Sequence, residues 1–196
     1  MAISERLKAF LSTSKARYTT MKHPVVYTAQ EIAAAQHVPG RQMAKCVLIK
    51  TDQAAVLAVL SAAQLVDFKK LKAVLGSKSV SLGKEADIKQ RFPDVEVGAM
   101  SPFGNLYDVP VVMDRELAEA GDIVFNGGTH TETVKMSAAD VVRLVKPKLG
   151  VFGLVPAGAK TGKGKASAKK KAAVKGQAKR QAAPKRKVLK GRKKKR

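Results

Sequence analysis

Ile3, Leu7, Phe10 and Leu11 recur at the spacing of one helix face, so the chain is expected to open with an amphipathic helix. RYTTMKH reads as a strand, and Thr28-Ala-Gln-Glu31 has capping-box spacing ahead of an alanine-rich segment that His37-Val-Pro-Gly40 stops, which predicts a short helix over about 28 to 37. MAKCVLIK and AAVLAVLSA are apolar runs joined through Thr51-Asp52-Gln53, and read as buried antiparallel neighbours. The apolar positions Leu65, Val66, Phe68, Leu71 and Leu75 suit a helix ended by Gly76. SVSL is then a short strand, and KEADIKQRF a polar helix stopped before Pro93. VPVVMD and DIVFNG are expected to pair around RELAEAG, with TETVKM continuing that sheet. Ser137-Ala-Ala-Asp140 repeats capping-box-like spacing and starts a last helix, VVRLV, which Pro147 ends. Strands and helices mix without strict alternation. The pattern therefore predicts an α+β fold with a mixed, largely antiparallel sheet flanked by helices, not a doubly wound parallel one.

Charge then divides the chain. Of 38 Lys and Arg, 18 lie between Lys160 and Arg196, where there is no Asp or Glu; the remainder carries 20 basic and 15 acidic residues, a net of +5. The last segment has no aromatic residue, and Val174, Val188 and Leu189 are its only bulky apolar residues. It cannot bury enough surface to offset chain entropy and is expected to be disordered when free. One folded domain over 1–156 and a basic tail over 157–196 follow. A single cysteine, Cys46, rules out an internal disulfide and fits a reducing compartment. No run reaches the ~18 apolar residues of a membrane span, and MAISERLKAF lacks the apolar core of a signal peptide, so a cytoplasmic protein is expected.

Candidate chemistry is sparse. His23, His37 and His130 are scattered, and there is no HExxH, CxxC, GxSxG or Walker loop, so neither a metal nor a cofactor is expected. An enzyme built on this chain works without a standard nucleophile. The stretch GAMSPFGN, residues 98 to 105, is too rich in glycine for a helix interior and too punctuated for a central strand. From composition alone it is a surface turn. Lys45 alone reads as the outward side of an alternating strand, His130 as a solvated loop histidine, and Thr28 as an N-cap.

Several pieces in order alter those readings. HPVVYTAQEIAAAQHVPGRQMAKCVLIK (23 to 50), GAMSPFG (98 to 104), VPVVMD (109 to 114) and GGTHTETVKMSAAD (127 to 140) together resemble the YbaK and prolyl-tRNA synthetase-associated editing domains, which are aminoacyl-tRNA deacylases. The resemblance spans about residues 3 to 147. It implies a YbaK-like, barrel-like fold and hydrolysis of the ester between a wrong amino acid and the terminal ribose of a tRNA. Gly98, Ala99, Met100, Ser101 and Pro102 match the family's GxxxP motif, whose backbone lines the ester pocket; Gly98 is thereby implied in catalysis and the other four in substrate binding. Lys45 falls where the family has its functional lysine, a cation that holds the tRNA 3′ end. Tyr27, Thr28, Gly128 and His130 are implied as substrate-binding residues, with His130 sizing the substrate or placing a water. Cys46 stands where relatives that edit alanine carry asparagine, a departure in this chain; on a buried strand it reads as a packed, inert thiol. The family's use of the substrate's own ribose hydroxyl would explain the missing triad.

Two functions follow from different parts of the chain. The first is trans-editing of a mischarged aminoacyl-tRNA, with a tRNA for proline as the leading substrate. The second is an idle domain of this fold that binds nucleic acid through its tail, where Lys169, Lys170, Lys171, Lys185, Arg186, Lys187, Lys193, Lys194 and Lys195 form the densest cation runs. The tail lacks base-reading and stacking residues, so its binding to tRNA or other nucleic acid is expected to be unspecific.

Overall fold

β3 (Ala55–Ser61) is buried along its whole length, which its sequence AVLAVLS permits because every side chain is apolar or small. A strand covered on both faces must also be paired on both edges, and it is. On one side lies β2 (Ala44–Thr51), antiparallel and reached through a turn in which the Thr51 hydroxyl accepts from the N–H groups of Gln53 and Ala54 at 3.1 and 3.0 Å. On the other side lies β6 (Val111–Asp114), parallel to it. β5 (Val80–Leu82) joins the outer edge of β2 and β9 (Lys148–Gly150) that of β6, so the five-stranded sheet has the order β5-β2-β3-β6-β9. These elements come from a computed structural model of the chain, which describes residues 3–156. The tail over 157–196, with all its candidate nucleic-acid-binding residues, lies outside the described residues.

A second, antiparallel sheet has the order β1-β8-β7, formed by Tyr18–Lys22, Glu132–Ser137 and Asp122–Asn126. A parallel bridge between Met43 and Val124 links it to the first sheet, with the Val124 N–H donating to the Gln42 carbonyl at 2.9 Å. β4 (Leu65–Val66) and β10 (Gly153–Leu154) form a short ribbon of their own. The architecture is thus α+β with mixed, mainly antiparallel pairing. One expectation fails: VPVVMD and DIVFNG do not pair. β6 is claimed by β3 and β9, and β7 by β8. The intervening residues fold into α5 (Arg115–Ala118), too bulky for a hairpin turn, and carry the chain from one sheet to the other.

The helices mostly follow their local signals. α1 (Glu5–Thr13) is capped by Ser4 and buries Leu7 and Leu11. α2 (Ala29–Ala35) has the predicted capping box in full, the Thr28 side chain accepting from the Glu31 N–H and the Glu31 carboxylate from the Thr28 N–H. α3 (Phe68–Leu75) starts later than its hydrophobic pattern suggests, because Asp67 caps it and Leu65 and Val66 are taken by β4; Gly76 ends it in the left-handed conformation as expected. α4 (Glu85–Arg91) precedes Pro93, and α6 (Ala138–Val145) follows β8 directly. Ser137 makes no side-chain capping bond there, so the second capping-box expectation is not met.

Alternation along β2 and β3 separates two cores. Leu48, Leu57 and Val59 face a cluster with Leu7, Phe92, Phe103 and Phe125, while Ile49 and Leu60 face Leu71, Val112 and Phe152. A third cluster holds Ile32, Ala33, Met43 and Val124, packing α2 onto the junction of the sheets. Asp114 ties the far edge together. It is 2 % exposed; one carboxylate oxygen accepts from the Glu116 N–H at 3.1 Å and the other from the N–H groups of Phe152 and Gly153 at 2.9 and 2.8 Å. Asp114→Ala should therefore lower stability by about 2–4 kcal/mol, since it removes a charged acceptor from the N–H groups of Glu116, Phe152 and Gly153. The check is urea unfolding, where the midpoint should fall at an unchanged slope.

Candidate functional site

Three separate stretches converge at the end of the second sheet: Tyr27 ahead of α2, residues 96–104 after α4, and Gly127–His130 between β7 and β8. The middle stretch is fixed by its own apolar residues. Ala99, Met100 and Phe103 are buried, and the Phe103 ring lies 5.7 Å from Phe10 and 5.8 Å from Phe125. Burial of Ser101 and Pro102 alongside them makes the segment a core-anchored loop, not a surface turn. Gly98 alone of the GxxxP segment stays exposed. Its φ of +91° is one that side-chain-bearing residues rarely adopt, and an added Cβ would stand 3.4 Å from His130 Cε1. The positive φ is what calls for glycine here, since a Cβ at that distance would only meet the imidazole in ordinary van der Waals contact.

His130 is held from four directions. Its main-chain N–H donates to the Glu96 carboxylate at 2.6 Å, its Nε2 lies 2.9 Å from the Val97 carbonyl, its ring meets Tyr27 edge-on at 4.9 Å between centroids, and Gly98 packs under Cε1. Glu96 binds twice more through its main chain, donating to Gly128 O and accepting from Ala99 N–H, both at 2.9 Å. Asn126, at the end of β7 and 6 % exposed, donates to the Gly98 carbonyl at 3.4 Å. The fold therefore brings Tyr27, Gly98, Gly128 and His130 together. Glu96 and Asn126 were missed. Their only sequence signals are a carboxylate two residues before Gly98 and an amide closing an apolar strand before two glycines.

The double glycine has a different cause from the one its sequence suggested. A Cβ on Gly127 would fall 2.3 Å from Ile3 Cγ2, and one on Gly128 would fall 2.9 Å from the Cβ of Ser4. The close approach here is that of the chain's own N-terminal segment, whose Ser4 N–H donates to Gly127 O at 2.7 Å. Thr28 is a cap, its hydroxyl 2.8 Å from the Glu31 carboxylate, and the bonds from Thr28 hold the Glu31 carboxyl below its usual range.

Lys45 has its partners elsewhere. It stands opposite Leu60, and Cys46 opposite Val59, so the two side chains leave β2 on opposite faces. Cys46 is the one that packs against the cluster containing Met100 and Phe103. Burial pushes its thiol up, so it is neutral near pH 7. The Lys45 ammonium donates to the carbonyl of Gln64, and partial burial lowers its pKa from the ordinary lysine value. Gln64 is itself buried, with its amide bound to Glu116 at 2.8 Å and accepting from the Ser61 N–H at 3.3 Å. Among the described residues no group of three or more His, Cys, Asp or Glu could hold a metal ion, and no helix is long and apolar enough to cross a membrane.

Set beside known proteins, residues 23–144 match the family described as aminoacyl-tRNA editing domain, and the chain belongs to that family. A stretch of 81 residues is 31 % identical to the proline–tRNA ligase of Thermosipho africanus (strain TCF52B), covering 41 % of this chain and 14 % of that protein, so the match spans about one seventh of the ligase's length. Among solved structures, a candidate trans-editing enzyme for prolyl tRNA synthetase is similar with a TM-score of 0.68 at 18 % identity, over 76 % of this chain and 96 % of that one. The hypothetical protein APE2540 is similar with a TM-score of 0.70 at 15 % identity, over 76 % and 99 %. At these identities the structural likeness speaks for the fold, which is the YbaK-like one.

The Glu96 clamp yields a prediction. Removing a charge-assisted hydrogen bond of this kind costs about 1.5–3 kcal/mol. Glu96→Ala should speed amide exchange over residues 127–131 by about 10- to 100-fold, and Glu96→Gln, which keeps an acceptor, by less. Hydrogen exchange read by mass spectrometry makes the comparison; equal protection in all three proteins would mean the loop is held without Glu96.

Proposed function

We propose that this chain is a trans-editing aminoacyl-tRNA deacylase, hydrolysing the ester of a wrongly attached amino acid, with a tRNA for proline as the leading carrier and the cytoplasm as its place of action. The observation that carries the reading is the clamp of His130 against the exposed Gly98 backbone, inside a segment that belongs to the editing-domain family. The similarity of one stretch to a proline–tRNA ligase supports the choice of tRNA.

An aminoacyl ester is already reactive, so catalysis needs a placed water and a stabilised oxyanion more than a strong base. In this reading the backbone of Gly98, Ala99, Met100, Ser101 and Pro102 receives the ester, with Tyr27 and His130 setting the size of the side chain admitted, while Gly128 takes part through its carbonyl, which accepts from the Glu96 N–H. Thr28 takes part only through its cap on α2. Cys46 is a neutral wall, since a nucleophile would require the thiolate. Lys45, on the face of β2 opposite Cys46, holds the terminal nucleotide, a task suited to a compact ammonium that can exchange the Gln64 carbonyl for a phosphate or ribose oxygen. Selection by size rejects a larger cognate residue better than a smaller one.

The deciding experiment incubates the purified protein with a panel of tRNAs mischarged with alanine, cysteine, serine or threonine, beside correctly charged prolyl-tRNA. Hydrolysis of at least one mischarged species with prolyl-tRNA spared is expected; hydrolysis of none would leave a nucleic-acid-binding protein with an idle domain. Lys45→Ala should reduce deacylation by about two orders of magnitude, the scale for removing one positioned charge, with stability within about 1 kcal/mol of the parent. Full activity in that variant would remove Lys45 from the site.

The 18 cations between Lys160 and Arg196 are proposed to add unspecific affinity for tRNA through counterion release. A chain ending at Gly158 should bind tRNA more weakly and with a much shallower salt dependence, the log–log slope falling by about 0.7–0.9 for every phosphate that is no longer neutralised. At saturating substrate, single-turnover deacylation should keep the same order of preference. Loss of activity at saturation would place the tail in the catalytic machinery.

A further inference from the structure

Gln64 sits in the short connection from β3 to β4, where polar side chains ordinarily point into water, yet it is 4 % exposed. Each of its four polar atoms has a partner. Its main-chain N–H donates to the Ser61 carbonyl at 3.1 Å, and its side-chain Oε1 accepts from the Ser61 N–H at 3.3 Å. Nε2 donates to the Glu116 carboxylate at 2.8 Å, an orientation fixed by chemistry because a carboxylate can only accept. The fourth atom, the main-chain carbonyl, accepts from the Lys45 ammonium. Gly153 closes the remaining side: a Cβ there would stand 2.5 Å from Gln64 Cδ, so the backbone of β10 approaches the amide more closely than a side chain would allow.

The turn itself is already closed by the main-chain bond between Gln64 and Ser61. The side-chain lock adds something else, a fixed position for the carbonyl that carries Lys45. A lysine on its four-carbon stem ordinarily keeps wide rotamer freedom. Lys45 is half-buried and burial lowers its pKa from the ordinary lysine value, so both its proton and its direction gain from a stationary acceptor. Glu116 is the outer end of this lock and is itself held. Its N–H donates to one Asp114 oxygen at 3.1 Å, while the other accepts from Phe152 and Gly153. A continuous line of hydrogen bonds thus runs from the end of β6 through Glu116 and Gln64 to Lys45.

We propose that Glu116 is a positioning residue, which through Gln64 holds the Lys45 ammonium in the place from which it meets the terminal nucleotide of the tRNA. The inference rests on the deacylase reading for the role of Lys45. Glu116 itself touches no substrate. With its carboxylate gone, the Gln64 amide loses its anchor, the carbonyl that carries Lys45 is no longer stationary, and the ammonium must be ordered anew at each encounter.

The test uses the full chain and two readouts. In the first, nitrogen-15 relaxation of the Lys45 ammonium, assigned by its loss in Lys45→Ala, is compared in the parent, Glu116→Ala and Glu116→Gln. The order parameter should fall in Glu116→Ala toward that of the exposed Lys69 and Lys72, and stay near the parent value in Glu116→Gln, which keeps an acceptor oxygen. The second readout is single-turnover hydrolysis of alanyl-tRNA for proline. At saturation Glu116→Ala should lower the rate about tenfold with the half-saturating concentration within about twofold, and Glu116→Gln should stay within about threefold of the parent, because the loss is one of orientation. In a Lys45→Ala background Glu116→Ala should cost nothing further, whereas a purely structural carboxylate would cost the same in both backgrounds. An unchanged Lys45 order parameter in Glu116→Ala, or an equal loss of rate with and without Lys45, overturns the inference even where the parent hydrolyses the ester well. If the parent hydrolyses none of the mischarged tRNAs, the deacylase reading falls, and the order parameter alone decides whether Glu116 positions Lys45.

Discussion

The hydrogen bond from the His130 main-chain N–H to the Glu96 carboxylate is the contact on which the site depends. Neither of the loops it joins has regular secondary structure around the contact, and they come from segments more than thirty residues apart. Such loops normally diffuse independently and cannot keep an imidazole within hydrogen-bonding distance of a particular backbone. Here each is fixed to the core at one end, the first by Phe103 between Phe10 and Phe125 and the second by the pairing of β7 with β8. Glu96 closes the remaining gap, using its side chain, its N–H and its carbonyl on three different residues. A single residue thereby converts two anchored loops into one rigid wall.

The N-terminal segment completes that wall from behind. Ile3 and Ser4 press on Gly127 and Gly128 so closely that no side chain fits between them. Leu7 and Leu11 of α1 then bury in the same cluster that receives Met100 and Phe103. A helix at the start of the chain, remote in sequence from every candidate site residue, thus sets the depth at which the His130 loop sits. Packing of this kind has little give, because protein interiors are as dense as molecular crystals.

Much of this was legible along the chain, and what was legible was local. The capping box at Thr28 and Glu31, the turn at Thr51 and the stop at Gly76 are written within four residues each, and each formed. The pairing of β6 was not legible. VVMD carries no mark of its partner, and the partner, β3, is chosen because a strand buried on both faces must fill its second edge. Recognition of the site followed the same division. Gly98 and His130 stood out through glycine neighbours and a family resemblance, whereas Glu96 and Asn126 gain their meaning only from what the fold places against them.

The two neighbours on β2 illustrate why adjacency in sequence misleads at a site. Lys45 and Cys46 must face opposite ways, since successive side chains on a strand alternate, so one residue of the pair looks into the Met100 and Phe103 cluster and the other to the Gln64 side. The inward one is a thiol kept neutral by burial, able to pack but not to attack. The outward one is a lysine whose ammonium has lost part of its hydration and rests on one carbonyl, so an arriving anionic oxygen has less water to displace. Under the proposed reading the strand therefore separates the tasks physically. One face helps shape the volume open to the amino acid, the other offers a charge to the nucleic acid, and the ester joining the two must lie across the end of β2.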